Sequence, residues 1–204
     1  STDEVQLSLV AAKGEPGFQY GTLEISDTQE FNTEFDAIGE DEKPAVFAGL
    51  LSYNDSKVVP VNTVVSVLSD KFSFWAFPWN ERDYEQTITE PETTDFMVVR
   101  KGAHQIGDIT MEVGESASKI KNDTTWICFA TPFPEGVTPV VIANVLSRYK
   151  AYPYVVKVWD ITNKGFAVKL ARQAAVDETT STFAGQDIFY VAATPGTAKM
   201  EDGK

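Results

Sequence analysis

One cysteine and one histidine stand in 204 residues, and each scarcity excludes a class of chemistry. A single thiol allows no intrachain disulfide. The fold therefore rests on its core, whether the chain is cytoplasmic or secreted without staples. One histidine with one cysteine cannot supply a zinc site of the usual ligands. A Ser-His-Asp arrangement would have to run through His104, which has no nucleophile motif beside it. The phosphate-binding glycine loop and the dinucleotide fingerprint are missing, as is the Asp-x-Asp-x-Asp-Gly spacing of a calcium loop. No cofactor or metal is expected. No apolar run approaches the ~18 residues of a membrane span, and the opening Ser-Thr-Asp-Glu does not resemble a signal peptide, so no membrane insertion is expected.

Positive charge is also scarce. Lys and Arg total 17 against 30 Asp and Glu, a net charge of −13. Phosphate binding needs clustered cations, so nucleic acid is not an expected partner. Most of these charges read as a solvated surface. Neutral ligands remain open. Paired carboxylates among so many acids also keep a polysaccharide-acting enzyme open. The two scarce side chains have bland readings: Cys128 lies in the apolar run Thr125-Trp126-Ile127-Cys128-Phe129 and reads as a buried structural thiol. His104, in Lys101-Gly102-Ala103-His104, reads as linker.

What the chain does have is a long internal echo. Lys43-Pro44-Ala45-Val46-Phe47-Ala48 is answered by Thr138-Pro139-Val140-Val141-Ile142-Ala143, with the prolines 95 positions apart. Asp70-Lys71-Phe72 is answered by Asn163-Lys164-Gly165-Phe166, with the phenylalanines 94 apart. Gln19-Tyr20-Gly21 is set against Gln105-Ile106-Gly107, 86 apart at glycine. A repeat of this length is a whole small domain of about 100 residues rather than a solenoid unit.

The local pattern is β throughout. Val58–Leu68, Pro139–Leu146 and Tyr154–Trp159 are rich in β-branched residues. Asp70-Lys71 and Asn163-Lys164-Gly165 supply turns into strands at Phe72–Trp75 and Phe166–Leu170. Phe96–Val99 and Ile188–Ala192 read as closing strands. These features predict an all-β chain of two tandem antiparallel β-sandwich domains, residues 1–103 and 104–204, with about six strands each.

The candidate site is an aromatic cluster in the first half, Phe72-Ser73-Phe74-Trp75-Ala76-Phe77-Pro78-Trp79-Asn80-Glu81-Arg82-Asp83-Tyr84. A pyranose offers an apolar C–H face that stacks on an aromatic ring. Its hydroxyls take paired hydrogen bonds from amide, carboxylate or guanidinium. Trp79, Asn80, Arg82 and Tyr84 provide those groups side by side. The alternative is a core tryptophan at a strand end beside a solvated charged turn.

Each half resembles an H-type lectin domain, the module of snail agglutinins and of the discoidin C-terminal domain. The likeness rests on Phe129-Ala130-Thr131-Pro132-Phe133-Pro134, Pro139-Val140-Val141-Ile142 and Val156-Lys157-Val158-Trp159-Asp160-Ile161-Thr162-Asn163-Lys164-Gly165-Phe166 in the second half. In the first half it rests on Val67–Phe74 and Trp79–Tyr84. The resemblance implies a non-enzymatic lectin of galactose or N-acetylgalactosamine type, binding glycans multivalently as a homotrimer. It places the sugar on Trp79, Asn80, Arg82 and Tyr84. The arginine that the family carries before the Gly-Phe turn falls near Val59 or Pro60 and Pro153 here, and Gln173 replaces Trp79 in the second half. The runner-up expectation is a structural or attachment protein on the same duplicated scaffold.

Overall fold

The computed structural model describes residues 17–25, 30–38, 42–49, 51–54, 60–78, 90–116, 119–146, 154–172 and 185–196. The chain is all-β, with no helix among the described residues. The first half contributes β1 (Phe18–Ile25), β2 (Glu30–Glu34), β3 (Ala45–Ala48), β4 (Pro60–Val67), β5 (Lys71–Pro78) and β6 (Glu92–Val99). The second contributes β7 (Gly102–Ile106), β8 (Ile109–Glu115), β9 (Thr125–Cys128), β10 (Val140–Leu146), β11 (Tyr154–Thr162), β12 (Gly165–Arg172) and β13 (Asp187–Ala193). Each β-branched run expected to be a strand forms one within its described residues, Val58 and Val59 lying outside them, because alternate apolar positions find a buried face. His104 lies on β7 and not in a linker; its ring packs edge-on against Phe18 and its Nε2 lies 2.7 Å from the Arg100 carbonyl oxygen.

Three sheets result: β1-β6-β3, β2-β5-β4-β10-β13-β8-β7, and β11-β12-β9. The pairing repeats. β1-β6-β3 recurs as β8-β13-β10, and β2-β5-β4 recurs as β9-β12-β11, every one of these pairs antiparallel. The side chains repeat with it. Phe72 meets Phe35 and Phe96 at ring distances of 6.3 and 5.2 Å; 94 positions on, Phe166 meets Phe129 and Tyr190 at 5.8 and 5.3 Å. The buried Gln19 Oε1 accepts from the Asp36 N–H, and the buried Glu112 Oε1 accepts from the Ala130 N–H. Gly21 pairs with Phe96, and Gly114 pairs with Tyr190. The partner of Gly21 is thus Gly114, 93 positions on, and the Gln105–Gly107 echo falls on β7 and its turn instead.

Gly114 is fixed by a close approach. A Cβ there would lie 2.4 Å from the Tyr190 ring.

The halves share one sheet. β4 and β10 meet in parallel through Leu146 and Val64, which makes the central sheet continuous. Met111, Val113, Leu146, Phe189 and Val191 of the second half belong to the core of the first. The opposite faces of the same strands, with Val145, Ile188, Tyr190 and Ala192, form the second core against β11-β12-β9. β13 therefore buries both faces, which is why Ile188–Ala193 is apolar without alternation.

Candidate functional site

The expected sugar residues Trp79, Asn80, Arg82 and Tyr84 lie outside the described residues. The strand that leads to them is described: β5 carries Trp75, half-buried, opposite Glu30 and Thr63.

A second aromatic arrangement stands on the outer face of β11-β12-β9. The inner face is set by Ile127, Val158, Phe166, Val168 and Leu170, all in the second core. Alternation then puts Trp126, Trp159 and Ala167 on the outer face. The register lines them up: Trp159 opposes Ala167, and Ala167 opposes Trp126. Two strand spacings separate the tryptophans, about 10 Å. Ala167 is only 3 % exposed although it faces outward. Trp126 itself is 46 % exposed.

Small residues on β12 make room for the rings. A Cβ on Gly165 would sit 3.0 Å from Trp126 Nε1 and 2.2 Å from the Ile127 carbonyl oxygen, so the indole reaches across the glycine. β11 carries a bulge between Trp159 and Thr162, with Asp160 at φ 50. Aspartate tolerates that left-handed conformation better than most residues, and bulges commonly re-aim the neighbouring side chain. The corresponding row in the first half is Asn32, Ser73 and Ser66. The tryptophan pair thus belongs to the second half alone.

Next to this row lies a pair of lysines. Lys157 and Lys169 oppose each other directly, and the Lys169 ammonium stands 5.7 Å from the Trp159 ring centroid. Cys128 shares the face and is exposed, which corrects its reading as a buried thiol: Ile127 takes the inward position and its neighbour must point out.

Two concavities compete for attention. One, of about 220 Å³, opens where β4 and β10 diverge and is lined by Ala48, Thr63, Asn144 and Tyr154 among others. Asn144 Nδ2 there donates to the Ala48 carbonyl at 2.7 Å, while the buried Thr63 hydroxyl has no partner among the described residues. The other, of about 160 Å³, brings together Lys43, Arg100 and Lys101, but each cation is matched by a carboxylate of Glu42 or Glu115. Among the described residues no group of three or more His, Cys, Asp or Glu is placed to hold a metal ion.

Buried polar groups elsewhere serve the fold. The Tyr190 hydroxyl donates to Glu112 Oε1 at 2.7 Å. Burial, and then the Glu112 carboxylate, push its phenol well above the ordinary range.

Trp126 and Trp159 escaped sequence reasoning for a simple reason: they lie 33 positions apart and only the shared partner Ala167 unites them. Comparison with protein-family models, curated protein sequences and solved structures finds no match.

Proposed function

We propose that this chain is a carbohydrate-binding protein that acts without catalysing a reaction. The observation that carries the reading is the Trp126–Ala167–Trp159 row. Trp126 and Trp159 stand two strand spacings apart, about 10 Å, on either side of the small residue Ala167, a separation that suits two pyranose rings of an extended chain. Stacking of sugar C–H faces on such rings needs exposure; Trp126 is exposed and Trp159 partly so. In this reading residues 1–103 and 104–204 are two fused H-type-lectin-like sandwiches, with the junction inside β7 (Gly102–Ile106). The repeated strand order and the repeated aromatic trios support the duplication. The Trp79–Tyr84 segment is then a second sugar-contacting stretch, of galactose or N-acetylgalactosamine type. Assembly as a trimer multiplies weak single-site contacts through avidity.

The test is a glycan array with wild-type protein and Trp126→Ala, alongside the mass in solution. Trp126 is exposed, so the variant keeps the fold. Loss of glycan signal by the variant, with circular dichroism unchanged, is the expected result. A wild type that binds no glycan overturns the reading, and a monomeric mass removes the trimer.

One observation favours a structural or attachment role instead. Val140 and Ile142 are 58 % and 56 % exposed on the same face of β10 as the buried Leu146. An apolar strand face left open is a surface for another protein. Wild-type protein that self-associates without binding glycans would select that alternative.

A further inference from the structure

The outer face of β11-β12-β9 joins two features that the acidic composition makes unusual together. Its aromatic row lies one side-chain step along the strands from two lysines in direct cross-strand register, Lys157 opposite Lys169. Like charges directly opposite repel at Cβ separations of about 4.5–5.5 Å, so such a pair destabilises a sheet unless something else favours it; the Trp159 ring, 5.7 Å from the Lys169 ammonium, offsets part of that cost without supplying a counter-charge. In a chain of net charge −13, carboxylates to neutralise these lysines are plentiful. Elsewhere they are used: Arg100 meets Glu42, and Lys43 and Lys101 both meet Glu115. Among the described residues neither Lys157 nor Lys169 has a carboxylate within ion-pair distance.

The other described residues of the face on these strands, Asp160 apart, are neutral. Val155 and Ala171 lie on one side of the lysine pair, and the tryptophan row lies on the other. Thr162, Gly165 and Cys128 follow beyond it. Asp160 is exposed at the bulge and is the nearest acidic residue along β11.

We infer that this face binds an anionic glycan chain, its rings stacked on Trp126 and Trp159 and its carboxylate or sulfate groups held by Lys157 and Lys169. The inference rests on the carbohydrate-binding reading and adds the charge of the ligand to it. A neutral chain would leave both ammonium groups without a counter-charge. A bare anion would make no use of the paired indoles. A uronate or sulfated polysaccharide uses both, because such a chain offers an apolar ring face and a charged group on neighbouring atoms. Ammonium–carboxylate contacts next to a partly dry aromatic surface are stronger than the same contacts in open water.

Titration calorimetry of the full chain at two salt concentrations tests this, with oligogalacturonate, a sulfated polysaccharide, a neutral cello-oligosaccharide and single-stranded oligo-dT as probes. Oligogalacturonate or the sulfated chain is expected to bind, with affinity falling as salt rises. Whichever of the two binds tighter identifies the anionic group. Lys157→Gln with Lys169→Gln is expected to weaken binding about tenfold or more, and Trp126→Ala to weaken it comparably. Both lysines lie on the outer face, so the charge variant retains the fold. Bound chain is also expected to slow alkylation of Cys128, which shares the face.

Equal binding of the neutral chain, unmoved by the lysine change, would overturn the anionic inference and leave the carbohydrate reading standing. No binding of any glycan would remove both. Tighter binding of oligo-dT than of either anionic glycan would overturn the inference in favour of a single-stranded nucleic acid.

Discussion

Tyr190 ties two strands and a buried carboxylate together through one hydroxyl. It stands where the first half has Phe96, and it differs from Phe96 by the bond it donates to Glu112. Glu112 also accepts from the Ala130 and Thr131 N–H groups, so three donors converge on the carboxylate. The phenol is held above its ordinary range, first by burial and then by Glu112. Its folded value exceeds its unfolded value of about 10. The stability it contributes is therefore complete below about pH 10 and is lost as pH rises toward the folded value. Tyr190→Phe is expected to cost about 1–2 kcal/mol at neutral pH through the missing hydrogen bond. Urea unfolding from pH 8 to 11 is expected to show the gap between wild type and variant closing on the alkaline side. A gap that stays constant would mean the phenol titrates alike in both states.

At the scale of elements, β13 shows what sequence makes plain and what it hides. Its apolar run, Ile188 to Ala193, announces a buried strand, as β-branched runs announce β4, β10 and β11. Turn residues before Phe72 and Phe166 locate the two hairpins. The Pro44 and Pro139 echo in the sequence is accompanied in the structure by similar aromatic packing, Phe72 with Phe96 and Phe166 with Tyr190. Partners are another matter. Leu146 meets Val64 in parallel across 82 positions, and no hairpin or turn marks such a pairing locally. The outward position of Cys128 is hidden in the sequence because Trp126-Ile127-Cys128 is apolar on both faces, which erases the alternation that tells inside from outside. The same erasure conceals Trp126. The candidate site named from sequence falls beyond β5, outside the described residues, while the tryptophan row depends on register alone. The double burial of β13 makes a direct prediction. Phe189 is fully buried against Phe47 on the first-half side. Phe189→Ala is expected to destabilise the protein by about 3–5 kcal/mol, the range for emptying a core aromatic site. Chemical denaturation measures it; a cost under about 1 kcal/mol would show that the shared core is not packed as described.

For the whole molecule, the question is whether two repeats behave as two proteins. Independent modules would each own a closed core. Here the first core takes in Met111, Val113, Leu146, Phe189 and Val191 from the second half, and the second half covers its other face with β11-β12-β9. Separating the halves would bare that apolar set to water at about 25 cal/mol for each Å² exposed. Neither half can unfold without exposing part of the other, so the chain is expected to melt in one cooperative step. Scanning calorimetry on the full chain checks this by asking whether the calorimetric and van't Hoff enthalpies agree. Phe189→Ala sharpens the test, because its side chain belongs by sequence to the second half and by packing to the first. It is expected to lower the single transition by about 6–20 °C, given the usual shift of 2–4 °C per kcal/mol for a chain of this size. Two resolved transitions, of which the variant moves only one, would show that the repeats fold apart and that the continuous central sheet is a contact between domains rather than a common core.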